Sequence, residues 1–223
     1  MSNLYIVATP IGNLKDITLR ALETLKLSDI ILCEDTRTTK KLLSAYDISK
    51  KCISFHKFST EKEIESILNL FDTYEHVSLV SDAGTPAVSD PGSLLIQLVK
   101  KQKTDVKIHA IVGASALTGA ISVSGFPMSQ FTFAGFLPHK KGRQKKLDEL
   151  LTYPHSIIFY ESTHRIMKLL EEINVRQPDR ELLICKELTK IHENVLTGTA
   201  SDLKVQLEED PSLQKGEFVL ICK

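Results

Sequence analysis

Charged side chains that could move a proton directly follow two apolar runs of the chain. Glu34, Asp35 and Arg37 come after the run DIILC, and Asp82 comes after VSLVS. A carboxylate can take the proton of a weakly acidic hydroxyl, and an arginine can orient that carboxylate or bind a phosphate through its fork of donors. Proton abstraction on a polar substrate is therefore the chemistry that these residues predict.

Two further segments have the composition of binding loops. SDAGTPAVSDPG, residues 81–92, holds two glycines, which permit close approaches, and two prolines, which stiffen the path, so a rigid loop with exposed amides is expected. The alternative is a capped turn, with Asp90 or Ser89 capping a helix that has Pro91 in its first turn. ATPIGNLKDIT, residues 8–18, has one glycine, which argues against a dinucleotide cradle. Without a cluster of metal ligands, these loops favour an organic cofactor and a polar substrate.

The first half of the chain alternates short β-branched runs with stretches of helical apolar spacing. This alternation predicts βαβ units and a mostly parallel sheet. The predicted strands are residues 4–8, 29–33, 52–55, 77–81 and 106–112, and the predicted helices are TLRALETLKL, TTKKLLSAY, EKEIESILNLF and PGSLLIQLVKK. Ligands of such sheets bind outside the carboxyl ends of the strands, so we expect the polar segments that leave those ends to form one site.

The second half predicts a separate α/β domain with a mixed sheet, because its strands outnumber its helices and adjacent strands must then pair antiparallel. The predicted strands are residues 131–136, 156–160, 181–186, 195–199 and 217–222, and the predicted helices are RQKKLDELL, THRIMKLLEEI and SDLKVQLEE. The glycine-containing stretch 111–127 has a helical middle and marks the join. We therefore expect domains at residues 1–113 and 114–223.

Composition limits the classes of partner. The 223 residues include 28 basic and 28 acidic side chains, so the net charge does not steer the protein toward nucleic acid, and any RNA-binding surface must be local. The four cysteines stand singly, which predicts small buried side chains rather than a zinc site. The N-terminus does not read as a signal peptide and no apolar run reaches membrane-spanning length, so we expect a cytoplasmic protein.

Six motifs, in order and spacing, carry a resemblance that extends over essentially the whole chain: VATPIGNLKDIT, EDTRTTKKLL, SDAGTPAVSDPG, FAGFLPHKKGR, FYESTHRI and KELTK followed by HE. They resemble the ribosomal RNA small subunit methyltransferase I family of the tetrapyrrole methylase superfamily. The resemblance implies two α/β domains with S-adenosylmethionine in the cleft between them. It also implies methylation of the ribose 2′-hydroxyl of a cytidine in the decoding region of 16S rRNA, with the small ribosomal subunit and a second copy of the chain as partners.

The resemblance also implies which residues contact the cofactor. They come from the first loop, the glycine-containing loop, the domain junction and two segments of the second domain: Pro10, Asp82, Ala83, Gly84, Thr85, Pro86, Val88, Ser89, Ser115, Ala116, Tyr160, Lys186, Glu187, Leu188 and Thr189. Together with Pro10, Ile11 and Asn13 are expected to face the substrate. Methyl transfer from a sulfonium needs no metal, and no metal ligand is predicted.

Four residues in matching motifs are the catalytic candidates: Glu34, Asp35, Arg37 and Glu161. We favour Asp35 or Glu34 as the base, with Arg37 orienting the carboxylate or an RNA phosphate. The alternative is a local salt-bridge and capping cluster that starts a helix at Thr38. For Glu161 the alternative is a carboxylate at a helix start, beside a capping serine.

A local basic segment predicts where RNA binds. HKKGRQKK at residues 139–146 contributes Lys140, Lys141, Arg143, Lys145 and Lys146, and Asn13 is a further candidate. Clustered lysine and arginine suit phosphates, although a solvated helix start would look the same. Two other functions are open: methylation of a tetrapyrrole at carbon, and a ribosome-assembly factor without catalysis. Retention of a porphyrinoid would favour the first, and failure to bind S-adenosylmethionine the second.

Overall fold

The computed structural model describes residues 1–56 and 59–223. The chain forms two compact units, Met1–Ser115 and Ala116–Lys223, which we call the N-terminal and C-terminal units. Each unit contains one five-stranded sheet. Because every strand of the chain's two sheets pairs within its own unit, each unit has a complete sheet around which its helices pack.

The sheet of the N-terminal unit is parallel throughout, as the alternating sequence pattern predicted, with strand order β3-β2-β4-β1-β5. Its strands are β1 (Asn3–Val7), β2 (Ile30–Cys33), β3 (Lys51–Ser54), β4 (His76–Leu79) and β5 (Lys107–Ile111). Its helices are α1 (Leu19–Leu27), α2 (Thr36–Ser44), α3 (Glu61–Thr73) and α4 (Gly92–Gln102), with a short 3-10 helix at Leu14–Asp16.

Continuous apolar runs form these strands because both faces of the sheet are covered. Along β2, Ile30 and Leu32 join the core on one face, whereas Ile31 and Cys33 join the core on the other. All four side chains are fully buried. A fully buried β2 ends directly at Glu34, so the rigid sheet fixes where the polar segment begins.

The C-terminal unit has the mixed sheet that the sequence predicted, in the order β6-β7-β10-β8-β9. Its strands are β6 (Phe131–Phe136), β7 (Ser156–Ser162), β8 (Leu182–Lys186), β9 (Asn194–Gly198) and β10 (Glu217–Cys222), and its helices are α5 (Ala116–Ser124), α6 (Arg143–Leu151), α7 (Ile166–Arg176) and α8 (Ala200–Glu209). A second 3-10 helix spans Pro211–Gln214. Only the β6–β7 pair is parallel, and the other three pairs are antiparallel.

Two helix starts differ from the sequence prediction. Helix α2 begins at Thr36 rather than Thr38, because the side chain of Asp35 accepts the backbone N–H of Arg37 and caps the helix there. Helix α7 begins at Ile166 rather than at residue 163, because β7 continues to Ser162, which pairs with Glu217 of β10. Pairing with a central strand therefore outweighed local helix preference.

The cysteines have the environment that was expected of small apolar side chains. Cys33, Cys185 and Cys222 are buried, Cys52 is half-buried, and all four are free thiols. Burial raises the pKa of Cys33 to about 11, which keeps its thiol protonated at neutral pH. Within the described ranges, no helix has the length and apolar character needed to cross a membrane.

Candidate functional site

The loops that leave β1, β4 and β5 are joined to one another within the N-terminal unit. Thr9 and Gly84 form an antiparallel bridge, in which each backbone N–H donates to the other carbonyl oxygen, at 2.9 and 3.0 Å. Thr85 Oγ1 donates to the carbonyl oxygen of Ala114 at 3.1 Å. Since these strands are parallel, their carboxyl ends share one edge, and the predicted loops do meet there.

Glycine is required at the point where two of these loops touch. Gly84 has a φ of +80°, which side chains rarely adopt, and a Cβ atom there would lie 3.2 Å from Cγ2 of Ile11. The bridge to Thr9 therefore depends on the missing side chain. The loop keeps Asp82 and Ala83 exposed on either side of a buried serine and glycine, Ser81 and Gly84.

The segment that follows β2 is tied to the same cluster of loops. The backbone N–H of Asp35 donates to Oδ1 of Asp82 at 3.0 Å. The Asp35 carboxylate faces its own helix: it accepts the N–H of Arg37 at 2.7 Å and forms an ion pair with the Arg37 guanidinium, also at 2.7 Å. These hydrogen bonds from Arg37 hold the pKa of Asp35 at about 2. For Asp35 and Arg37, the local capping arrangement is what the structure contains.

Glu34 has a different environment from its neighbour. Its side chain is half-buried, and its Oε1 atom is buried without a hydrogen-bond partner among the described residues. Burial, followed by the negative charges of Asp90 and Asp82, raises the pKa of Glu34 to about 7. An unpaired carboxylate oxygen that titrates near neutrality can accept a proton from a bound hydroxyl group. Of the two carboxylates that the sequence favoured, Glu34 is the one suited to act as a base.

The glycine-containing loop folds around Asp90. Oδ1 of Asp90 accepts the N–H groups of Ala87 at 2.8 Å and of Gly92 at 2.7 Å. Between these residues the chain takes strained positive φ values, +72° at Ala87 and +67° at Ser89. Asp90 thus receives the first N–H of α4, as the capped-turn alternative expected, and also shapes the loop before it. The sequence indicated only the capping role.

The remaining cofactor candidates of the N-terminal unit line or support these loops. Pro10, Gly84 and Pro86 are buried, Thr85, Val88 and Ser115 are half-buried, and Asp82, Ala83 and Ser89 are exposed. Asn13 is exposed, and its side-chain oxygen accepts the N–H of Lys15 at 3.1 Å. The arrangement offers exposed backbone around a small number of polar side chains, which is typical of a ligand site.

In the C-terminal unit, the segment after β8 holds most of the other candidates. Lys186 is 3% exposed, and its Nζ atom donates to the carbonyl oxygen of His192 at 3.2 Å. Glu187 accepts the N–H of Glu217 at 2.9 Å and the Lys190 ammonium at 2.8 Å. These contacts make Glu187 a support of the loop rather than a free base. Ala116, Leu188 and Tyr160 are half-buried on the α5 side of the sheet.

Backbone strain is concentrated in the two segments that the resemblance assigned to the cofactor. The structure describes five non-glycine residues with positive φ, and four of them are Ala87, Ser89, Glu187 and Thr189. Such conformations cost of order 1–3 kcal/mol each and persist where the surrounding structure enforces them, commonly at ligand sites. The strain therefore supports a binding role for residues 82–89 and 186–189.

Two candidates with charged side chains lie in the protein interior. Glu161 and Arg143 are each 2% exposed, and they face each other at 3.5 Å. Arg143 also pairs with Glu172 at 2.8 Å, and Glu161 also pairs with Arg165 at 3.3 Å. Neither Glu161 nor Arg143 is accessible to a substrate in this arrangement. Glu161 lies in β7 rather than at a helix start, so the helix-start alternative is wrong as well.

The other basic residues of residues 139–146 differ in accessibility. Lys140, Lys141 and Lys145 are exposed, whereas Lys146 is half-buried and pairs with Glu149 at 3.0 Å. Within residues 1–56 and 59–223, no group of three or more histidine, cysteine, aspartate or glutamate side chains could hold a metal ion. The accessible positive charge of this segment therefore comes from three lysines.

Comparison with known proteins defines the class. The family model of the Tetrapyrrole (Corrin/Porphyrin) Methylases matches residues 3–204. Diphthine synthase superposes with a TM-score of 0.75 at 16% identity, over 99% of this chain and 89% of that one. Uroporphyrin-III C-methyl transferase from Thermus thermophilus, solved with S-adenyl homocysteine, gives a TM-score of 0.68 at 16% identity, over 99% and 97%. Fold and loops are those of a tetrapyrrole methylase.

Sequence relatives define the family within that class. Ribosomal RNA small subunit methyltransferase I of Thermotoga maritima is 43% identical over 99% of this chain and 98% of its own length. The protein of that name from Mycoplasmopsis pulmonis is 44% identical, over 99% and 97%. The chain belongs to the ribosomal RNA small subunit methyltransferase I family. This membership does not favour the tetrapyrrole alternative, since the structural likeness at 16% identity concerns the fold alone.

Proposed function

We propose that this protein methylates the ribose 2′-hydroxyl of a cytidine in the decoding region of 16S rRNA, with S-adenosylmethionine as the methyl donor. The observation that carries the proposal is the Glu34 carboxyl. It combines a buried, unpaired oxygen with a pKa of about 7, and it lies among loops whose motifs are those of the family. A weakly acidic hydroxyl is the group that such a base serves.

Two features of the chain fit S-adenosylmethionine. Gly84 leaves space beside Ile11 that a side chain would fill, and the exposed backbone around it can approach a ligand closely. The strained segments 82–89 and 186–189 supply further main-chain groups held in fixed positions. Once bound, the cofactor supplies an electrophilic methyl group, so the chemistry needs orientation and proton removal rather than a metal.

Glu34 acts as the general base in this proposal. The O–H bond of the ribose hydroxyl breaks, the proton passes to Oε1 of Glu34, and the electron pair stays on the oxygen that becomes methylated. Near pH 7 a group with a pKa of about 7 is both partly ionised and basic, which is the compromise that general-base catalysis favours. Arg37 holds Asp35 at the start of α2, and Asp35 N–H ties this segment to Asp82, so both position Glu34.

The RNA side of the proposal rests on the exposed lysines 140, 141 and 145, with Asn13 near the first loop. They suit phosphate contacts, which position a substrate without reading its sequence. We further infer the small ribosomal subunit as the substrate particle and a second copy of this chain as a partner, both from membership of the family. The four free cysteines fit the cytoplasm as the compartment.

The experiment is transfer of labelled methyl from S-adenosylmethionine to purified small subunits that lack the modification, with the label mapped to a nucleotide and an atom. We expect label on a cytidine 2′-oxygen. Glu34→Gln should lower the rate about 10²- to 10⁴-fold, the usual contribution of a general base, without changing cofactor affinity. Glu65→Gln removes an exposed glutamate of α3 and should leave the rate unchanged.

Three outcomes contradict the proposal. Label on a carbon, or on another nucleotide, means that the substrate is wrong. Cofactor binding without any transfer to RNA points to the tetrapyrrole alternative. Full activity of Glu34→Gln removes Glu34 from the role of base while leaving the reaction itself in place.

A further inference from the structure

Asp90 is an acidic residue that shapes the loop beside Glu34. A single carboxylate oxygen of Asp90 receives two backbone N–H groups, from Ala87 at 2.8 Å and from Gly92 at 2.7 Å. Hydrogen bonds to a charged acceptor are stronger than those to a neutral one, so this oxygen is well placed to enforce the positive φ values of Ala87 and Ser89.

Gly92 shows how tightly the loop closes around this oxygen. A Cβ atom at Gly92 would lie 2.9 Å from the backbone nitrogen of Ala87 and 2.9 Å from Oδ1 of Asp90. Both distances are too short for a real side chain, so only glycine permits the closed loop. The Asp90 carboxylate therefore has a fixed position relative to the sheet edge at which Glu34 lies.

We propose that Asp90 is a positioning residue for Glu34: it fixes the loop from Ala87 to Gly92 and holds a permanent negative charge toward the Glu34 carboxyl. The charge opposes ionisation of Glu34, which makes Glu34 a stronger base once it has lost its proton. This inference rests on the proposed function, in which Glu34 is the base. Asp90 itself touches neither the substrate nor the reacting atoms.

The other charged groups around Glu34 leave Asp90 as the main electrostatic neighbour. Asp82 also opposes ionisation of Glu34, but more weakly than Asp90 does. Asp35 is adjacent in sequence, and Arg37 largely neutralises it. Cys33 is a protonated, buried thiol with a pKa of about 11. Two carboxylates that face each other cannot both ionise easily, so the one that is hydrogen-bonded by the backbone keeps its charge and the unpaired one titrates higher.

The test compares two substitutions at Asp90 in the full chain. Asn keeps an oxygen that can accept the Ala87 and Gly92 N–H groups but has no charge, whereas Ala removes both. We would titrate the side-chain carboxyl carbons by ¹³C NMR and assign the Glu34 signal by its loss in Glu34→Gln. In Asp90→Asn the Glu34 midpoint should move about one pH unit lower, because a neighbouring charge shifts a pKa by roughly that amount.

Kinetics supply a second readout. The acid limb of the kcat/KM profile should move to lower pH by the same amount in Asp90→Asn, and the plateau should fall several-fold because Glu34 becomes a weaker base. Asp82→Asn should move the limb less, and Asp72→Asn, at an exposed ion pair with Lys103, should not move it. Asp90→Ala should additionally weaken S-adenosylmethionine binding, because the loop loses its shape.

An unchanged Glu34 midpoint in Asp90→Asn, with the Ala87 and Gly92 amide signals preserved, overturns this inference and leaves the proposed function standing. A shifted midpoint together with full activity of Glu34→Gln has the other meaning. In that case the two carboxylates interact, but Glu34 is not the base, so the proposed role of Glu34 fails and the positioning role of Asp90 fails with it.

Discussion

Glu34 and Asp35 are neighbours in the sequence and ionise in different pH ranges. Arg37 holds the pKa of Asp35 at about 2, while burial and two nearby carboxylates raise that of Glu34 to about 7. Opposite environments for adjacent carboxylates assign opposite roles to them: one is a permanent charge that supports a helix, and the other is a group that gains and loses a proton. The same contrast has consequences for stability.

The raised pKa of Glu34 predicts that it destabilises the folded protein at alkaline pH. Between about pH 4.5, its unfolded value, and pH 7 the folded state binds more protons than the unfolded state, so stability falls as pH rises through this window. Above it, the loss should be about 1–2 kcal/mol after allowance for partial exposure. Thermal unfolding of Glu34→Gln should therefore show a higher Tm than the wild type near pH 8 and about the same Tm near pH 5.

Asp35→Asn is the matched control for that measurement. The pKa of Asp35 is lowered, so its stabilising effect is complete above about 3.8 and is lost only as pH falls toward 2. Its substitution should lower the Tm at both test values by similar amounts. A Glu34→Gln variant that is less stable than the wild type near pH 8 would mean that the Glu34 carboxylate has a stabilising partner.

The sequence could predict that both carboxylates were candidates, but it could not choose between them. The choice depends on contacts with residues far along the chain: Asp82 accepts the N–H of Asp35, and Asp90 acts on Glu34. Arg37 is the one neighbour that the sequence does place beside Asp35. Capping clusters were correctly weighed as an alternative because they depend only on residues within one helical turn.

At the scale of elements, helix α6 shows how a correct helix prediction can still misplace a residue. The bounds Arg143–Leu151 were predicted, yet Arg143 was grouped with exposed lysines. Arg143 precedes the buried Leu147 by four residues and the buried Leu150 by seven, so helical periodicity sets it on the core face. The charge pattern suggested RNA, whereas the helical period indicated burial, and the period was the better guide.

The buried position of Arg143 predicts a role in folding. Arg143→Ala would leave the Glu161 and Glu172 carboxylates in the interior without their shared cation. Breaking a buried ion pair on one side typically costs about 3–5 kcal/mol, so the free energy of unfolding in urea should fall by about that amount. Burial of two carboxylates against one arginine is costly in itself, which is why the loss of the partner matters more than the pair's net contribution.

The exposed lysines of the same segment provide the contrast. Lys140→Ala and Lys141→Ala should change stability by less than about 0.5 kcal/mol, as surface substitutions usually do. If these side chains contact phosphate, each substitution should weaken RNA binding and reduce the salt dependence of the affinity by about one unit of slope. Equal stability losses for Arg143→Ala and Lys140→Ala would contradict the buried network.

At the scale of the molecule, element existence was predictable and strand order was not. All ten strands lie within two residues of their predicted ranges or overlap them, because continuous apolar runs between turn residues mark strands buried on both faces. The order β3-β2-β4-β1-β5 depends on crossover connections that leave no local signal. The loops after β1 and β4 meet because these strands are neighbours in the sheet, which no motif spacing reveals.

The last prediction concerns the two units as folding units. Two hydrophobic cores consist only of residues from the N-terminal unit, and two others only of residues from the C-terminal unit. A sheet with its own cores can fold by itself, so fragments 1–115 and 116–223 should each give a cooperative thermal transition and dispersed NMR amide signals.

Substitutions should then act in one fragment only. Glu34→Gln should alter the pH dependence of the first fragment, and Arg143→Ala should destabilise the second, since each change lies in the core or site of a single unit. A fragment that remains unfolded would show that its sheet depends on the rest of the chain. In that case the boundary near Ser115 separates compact units without separating folding units, and both substitutions should shift one common transition of the full chain.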